Sequence, residues 1–315
     1  MKKNIAIILP YKEIYSLNHA AAASIWAKDY NELSKLSRST LIYGNLDKNL
    51  KPISKNFKNI KINKSIFSKN KEYINYFYKD YLSKKFEIIE IHNRPEYLNF
   101  LIKKKINAKL IFFFHNNPKE IRGSKTVNER IHIIENTDKI FFVSSWTMNK
   151  FFDGLPYNTK SNCEILYPSI KKSLKFKKRK KKQIIFTGKL NSSKGYDLFG
   201  DAAIKILNKH KDWNVVVAGN EPREKFNFKH KNMKIYSWLP HKKILKLYSE
   251  SSISVVPSKW EEPFGRTSME SAAEGCATIT SSRGGLTETF DNDLILKKLT
   301  SKEILNSINF LIKNP

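Results

Sequence analysis

Short β-branched apolar runs alternate with amphipathic stretches along this chain, break off at a block of lysines, and then resume. Before the break, Ile5–Leu9, Thr40–Tyr43, Ile88–Ile91, Leu110–Phe114, Ile140–Val143 and Glu164–Tyr167 read as strands. Asn18–Leu33, Asn70–Lys84, Pro95–Lys105, Ser124–Asn136 and Ser145–Phe152 carry the apolar period of helices. After the break the strands are Ile184–Thr187, Val215–Ala218, Lys234–Tyr236, Ile253–Val256, Ala277–Thr280 and Leu294–Leu296. The helices there are Asp197–His210, Lys242–Glu250, Gly265–Glu274 and Ser301–Ile312. Strict alternation requires parallel strands joined by right-handed helical crossovers, and a restart requires two such sheets. The expected fold is therefore α/β: two Rossmann-like, doubly wound parallel-sheet domains facing a central cleft, with ligand at the strands' C-terminal ends. The boundaries read as residues 1–168, a basic linker at 169–182, and a second domain at 183–315.

At 315 residues, 40% hydrophobic, the chain is long enough for two ordinary cores. No apolar run approaches the ~18 residues of a membrane span. Ile5–Leu9 is too short for a signal peptide and no small-residue cleavage site follows, so it reads as a buried first strand. Cys163 and Cys276 are isolated and have no metal or redox spacing, which points to a reducing cytoplasm. The net charge of +29 comes from 50 Lys and 8 Arg, spread among many Asn and Ile. Part of that excess is compositional drift of the kind AT-rich coding produces. Its functional readings favour an anionic membrane surface or glycolipid over nucleic acid. The densest run, Lys171–Lys182, has nine basic residues in twelve and reads as a solvated linker.

The segment Pro257–Glu288 carries the chemistry. Glu262 and Glu270 lie eight positions apart around Pro263-Phe264-Gly265, and Gly284-Gly285 precedes Glu288. A strand, a tight turn and a helix N-terminus gather free backbone N–H groups that suit a phosphate. Glu262 falls before the helix and Glu270 inside it, so two carboxylates line one pocket at different depths. A second segment, Gly188-Lys-Leu-Asn-Ser-Ser-Lys-Gly195, follows the first strand of the second domain. There Lys189 and Lys194 are placed to meet a diphosphate and to stabilise charge on a leaving group.

Together these strings resemble the nucleotide-sugar site of the retaining GT-B glycosyltransferases, family 4 (glycosyl transferases group 1). The matching residues are Pro257, Ser258, Glu262, Pro263, Phe264, Gly265, Glu270, Gly275, Gly284, Gly285 and Glu288. The resemblance implies a GT-B fold and transfer, with retention, of a sugar from a UDP- or GDP-sugar to an acceptor hydroxyl. It gives Glu270 the ribose, Glu262 the transferred sugar, and Lys189 and Lys194 the diphosphate. The amides near Phe264, Gly265 and Arg266 complete the phosphate cradle. By the same resemblance Gly219 lies near the diphosphate, and Trp238 or Leu239 near the nucleobase. This chain has Lys189 where the family usually has Arg, which loses bidentate geometry.

In the first domain His115 closes a strand and is expected to touch the transferred sugar or the acceptor, as a catalytic residue. His92 and Arg94 end the preceding strand and are acceptor-binding candidates, Arg94 for an anionic group. The loop Pro10–Ala22 departs from the Gly-Gly of the family, and with it the acceptor. No metal is expected: Asp291-Asn-Asp293 lies outside the matched site, and lysines take the electrostatic role. No other cofactor is expected either. The acceptor reads as a cell-envelope saccharide or glycolipid, and the location as cytoplasmic, with a peripheral hold on the inner membrane face. The rival readings are a nucleotide-sugar epimerase or phosphorylase on the same fold, and a basic polyanion-binding protein. The resemblance also implies a helix beyond Asn314-Pro315 that crosses back to the first domain.

Overall fold

The computed structural model describes residues 4–16, 22–47, 49–62, 68–156, 162–170, 180–289 and 294–314. The chain divides into two compact units, residues 1–169 and 170–315.

The first unit is built on strands β1 (Ile5–Ile8), β2 (Thr40–Gly44), β3 (Phe57–Asn59), β4 (Ile88–His92), β5 (Lys109–Phe114), β6 (Lys139–Phe142) and β7 (Cys163–Ile165). They form one parallel sheet in the order β3-β2-β1-β4-β5-β6-β7. Helices α1 (Ala22–Leu33), α2 (Lys69–Lys84), α3 (Pro95–Lys103), α4 (Val127–Glu135) and α5 (Ser145–Phe152) cover its faces. The period of two along β5 sorts its side chains between two cores. Leu110, Phe112 and Phe114 join Phe77, Tyr97 and Phe142, whereas Phe113 joins Trp26, Tyr15 and Ile42. Each fully buried aromatic or aliphatic side chain contributes about 1.5–3 kcal/mol.

The second unit has β8 (Lys181–Thr187), β9 (Asn214–Ala218), β10 (Met233–Tyr236), β11 (Ser251–Val256) and β12 (Ala277–Thr280), in the order β10-β9-β8-β11-β12. These strands are also parallel. Its helices are α6 (Tyr196–Lys209), α7 (His241–Glu250), α8 (Arg266–Ala273) and α9 (Ser301–Lys313). One face packs Ile184, Phe186, Val215 and Val255 against Phe199, Ala203 and Ile206 of α6 and Ile304 and Ile308 of α9. In both sheets the chain order reverses at one place, between β1 and β4 and between β8 and β11. Loops leaving opposite ways from such a switch point open a crevice at the strands' C-terminal edge, where open α/β sheets take their ligands.

Several sequence expectations are corrected. β3 had no strand signal: it is three half-buried residues, held by pairing with β2 and by Phe57 stacking on Tyr15 at 4.7 Å. Leu294–Leu296 is not a strand. Ile295 makes a single bridge to Thr280, with Leu296 N donating to Thr280 O at 2.8 Å. β8 starts at Lys181 rather than Ile184, so Lys181 and Lys182, read as the end of the linker, are strand residues paired with Glu250 and Asp212. α4 starts at Val127 rather than Ser124, because Thr126 and Glu129 form a capping box that fixes the first turn. Lys171–Arg179, Asp291–Asp293 and the start of the helix expected from Asn18 lie outside the described residues.

Candidate functional site

At the switch point of the second sheet, the loops after β8 and β11 are stitched together through one carbonyl. The N–H groups of Lys259 and Trp260 both donate to Ser193 O at 2.9 Å, and Ser258 Oγ donates to it at 3.3 Å. The short turn Ser192–Lys194 is capped by Asn191, whose Oδ1 accepts from Lys194 N at 3.0 Å. The two loops thereby bring Lys194 Nζ to 2.5 Å from Glu262 Oε1 and 4.5 Å above the Trp260 ring. The side chains are 25% and 14% exposed, so this pair is only partly screened by water.

Glu262 is fixed from behind. It bridges Gly284 in parallel fashion, and Gly285 N donates to Glu262 O at 2.7 Å. Gly284 sits at φ +62, ψ −135, and a Cβ there would fall 2.1 Å from Glu262 O. Only glycine fits both the angles and the space. Gly265, at φ +119, is the N-cap of α8, and the amides of the first helical turn follow it. Those amides and the helix dipole make this end attractive to anions. On the next turn Glu270 is 5% exposed, and its Oε1 accepts from Arg266 Nε at 2.6 Å and from His241 Nε2 at 2.9 Å.

The structure thus gathers Gly188, Lys194, Glu262, Phe264, Gly265, Arg266 and Glu270 along the C-terminal edge of β8 and β11. Gly219 closes on the same edge: Gly188 N donates to Ala218 O at 3.1 Å, and a Cβ on Gly219 would meet Gly188 O at 1.7 Å. Lys189 directly follows Gly188. It is exposed on the turn and its charge bears on Glu221, whose carboxyl is pulled down to about 2, chiefly by Arg223. Leu239 is half-buried in the loop between β10 and α7, one residue before the helix N-cap Pro240. Sequence reading missed His241 and Trp260. His241 had a faint signal as the first helical residue after a proline. Trp260 had none, because an indole under a lysine obeys no spacing rule.

In the first unit, the C-terminal ends of β4 and β5 hold an imidazole pair. His92 Nδ1 lies 2.7 Å from His115 Nε2 with the rings stacked at 15°. His92 is fully buried and stands on Phe113, while Trp26 sets its edge against His115 at 5.0 Å. His115 itself is half-buried, so His92 reaches any ligand only through it. Asn93, at φ +54, ties the strand ends by accepting from His115 N at 2.7 Å. Arg94 donates to Asn93 O at 2.9 Å, and its charge bears on Glu13 of the loop after β1.

Burial drives His92 down to about 3 and His115 well below the ordinary histidine value, and pushes Glu90, two residues before His92, up to about 8. The unfolded histidines bind protons near pH 6.5 that the folded ones refuse, so their contribution to stability is lost as pH falls below that value. Folded Glu90 keeps a proton that the unfolded chain releases, so its contribution is lost as pH rises toward 8. A wild-type chain is therefore expected to show a limb of declining stability between neutrality and about pH 8 that Glu90→Gln lacks. The slope of that difference, read from urea midpoints, should be up to ~1.4 kcal/mol per pH unit; parallel curves would refute it.

Residues 169–315 match the family model for glycosyl transferases group 1. The match covers the second unit, the one that carries the Lys194–Glu262 pair. Among curated relatives, the putative glycosyltransferase YtcC of Bacillus subtilis (strain 168) is 23% identical over 242 residues. That alignment covers 66% of this chain and 58% of the relative, so the chain spans less than two thirds of that protein's length. Among solved structures, sucrose-phosphate synthase from Thermosynechococcus elongatus superposes with a TM-score of 0.75 at 14% identity, covering 99% of this chain and 90% of that one. Anabaena HepE in complex with UDP and glucose does so at 0.73 and 13%, with the same coverage. These likenesses establish the fold: two Rossmann-like parallel-sheet units of the GT-B class. No helix among the described residues is long and apolar enough to cross a membrane.

Proposed function

We propose that this protein is a glycosyltransferase of the group 1 type that moves a sugar, with retention at its anomeric carbon, from a nucleoside-diphosphate sugar to an acceptor hydroxyl. The observation that carries this reading is the Lys194–Glu262 contact beside the N-terminus of α8, at the switch point of a unit that matches the group 1 model. In this reading Lys194 turns from Glu262 to the diphosphate, joined by the amides of Gly265 and Arg266, and stabilises the charge that grows on the leaving phosphate. Glu262, released, faces the hydroxyls and the positive anomeric carbon of the transferred sugar. Glu270, oriented by Arg266 and His241, takes the ribose hydroxyls. His115 presents its ring to the sugar or the acceptor. Lys189 joins Lys194 at the diphosphate.

The nucleoside is uridine or guanosine in this proposal. UDP is supported by the HepE complex, whose ligands are UDP and glucose. The acceptor is a cell-envelope saccharide or glycolipid, approached at the cytoplasmic face of a membrane. The +29 charge, which favours an anionic surface, supports that placement. No divalent ion enters the proposed reaction, the positive charge coming from side chains and amides. A thermal-shift panel of UDP-, GDP-, ADP- and dTDP-sugars tests the reading, because a ligand at ~100 times its Kd raises stability by ~2.7 kcal/mol. One of the first two is expected to raise the melting temperature, with or without EDTA. No shift from any of the four would sink the proposal.

A further inference from the structure

The imidazole pair continues one residue deeper into the first unit. Glu90 and His92 share a face of β4, being two residues apart on a strand. Glu90 Oε2 lies 3.9 Å from His92 Nε2, and neither buried atom has a hydrogen-bond partner. Leaving two buried polar atoms unpaired costs ~1–3 kcal/mol each, whereas a small turn of the carboxyl joins them. Among the described residues the strand neighbours offer no competitor. The strand neighbours of Glu90 in register are Ile7 on β1 and Ile111 on β5, and that of His92 is Phe113. From α1 the titratable group that bears on Glu90 is Tyr30, whose hydroxyl burial holds protonated well beyond neutral pH. Glu90, His92 and His115 therefore form a single file that ends at the half-buried ring of His115.

We propose that Glu90 is a positioning residue which, through His92, sets the ring nitrogen of His115 that carries the proton and so decides whether His115 offers a ligand a donor or an acceptor. With Glu90 protonated, its O–H donates to His92 Nε2, His92 Nδ1–H donates to His115 Nε2, and His115 Nδ1 bears a proton. With Glu90 ionised, His92 Nε2–H donates to the carboxylate and His115 Nε2–H donates to His92 Nδ1. His115 Nδ1 is then a bare acceptor. The two states differ by one proton, which enters and leaves at His115 Nδ1; the other two protons shift by one bond along the file. All three groups stay neutral in the first state, and only the carboxylate is charged in the second. The raised value of Glu90, about 8, places the exchange in a range that modest changes of surroundings reach. The use of this device in sugar transfer rests on the proposed function; the device itself does not.

The test is nitrogen-15 NMR of the histidine rings in the full chain, followed through a neutral-to-alkaline series. The two nitrogens of His115 are expected to exchange protonated and bare character with a midpoint near pH 8. Glu90→Gln, which cannot titrate, is expected to hold one tautomer throughout. A wild-type His115 that keeps one tautomer across the series overturns the inference, and does so even if the variant fails to fold. An exchange that persists unchanged in Glu90→Gln overturns it equally. Adding UDP- and GDP-sugars to the same samples separates the two readings. Binding without tautomer exchange defeats only this inference, and exchange without binding defeats only the proposed function.

Discussion

Lys194→Ala is expected to weaken nucleotide-sugar binding and to lower turnover by ~100–1,000-fold, the loss seen when one donor to a developing oxyanion is removed. The expectation follows from position. Lys194 is the cation already 2.5 Å from the Glu262 carboxylate, and its ammonium lies over the Trp260 ring. Its removal also leaves Glu262, 14% exposed, facing the approaching diphosphate with no compensating charge. Glu262→Gln should behave differently: the amide removes the negative charge that faces the sugar but leaves Lys194 free to hold phosphate. Turnover should fall while UDP affinity survives or improves. Isothermal titration with UDP beside a transfer assay reads both. Wild-type UDP affinity in Lys194→Ala would remove this lysine from the site.

Gly284→Ala should be a severely disruptive single-methyl change in the second unit. Its Cβ would lie 2.1 Å from Glu262 O and 2.7 Å from Glu262 N, at angles that an alanine does not adopt. Relief requires the chain after β12 to leave the loop after β11, which breaks the Gly285 N to Glu262 O bond. Strain of this kind, plus a lost buried hydrogen bond, costs about 3 kcal/mol or more. In a unit of this size that lowers the melting temperature by ~10 °C. Because Glu262 moves with the clash, nucleotide-sugar turnover should fall further than the melting temperature alone explains. A variant with unchanged melting and turnover would show that the two loops are not locked as described.

Much of the second unit was readable because its chemistry is local. Gly188–Gly195 and Pro257–Glu288 each bind their conformation to nearby residues, through turns, a helix N-terminus and a Gly-Gly pair, so spacing alone exposes them. Strands such as Ile253–Val256 announce themselves because both faces are buried. What stayed hidden depends on chain segments far apart in sequence. The partner of Glu270 on α7, His241, is 29 residues away, and the partner of His92 just past β5, His115, is 23 away. Those contacts come from strand register and crossover lengths, which no window of sequence contains. β3 escaped for a different reason. Its three half-buried residues have no apolar pattern, and only the edge of β2 makes them a strand. Leu294–Leu296 failed in the opposite sense, since its apolar residues pack as a loop with one bridge rather than as a ladder.

The glycines of the second unit differ in what they touch, and that difference governs how the protein can change over generations. At Gly195, Gly219 and Gly284 the nearest obstacle to a side chain is a backbone oxygen, that of Pro257, Gly188 and Glu262 respectively. Every amino acid carries that oxygen, so no substitution at the facing position can make room. At Gly200 the obstacle is the ring of Phe228, 2.1 Å from the would-be Cβ, and a smaller residue there would clear the space. A genetic screen for suppressors should therefore rescue defects at Gly200 through position 228. Defects at the three loop glycines should yield true revertants alone, which makes them the least negotiable residues of the fold.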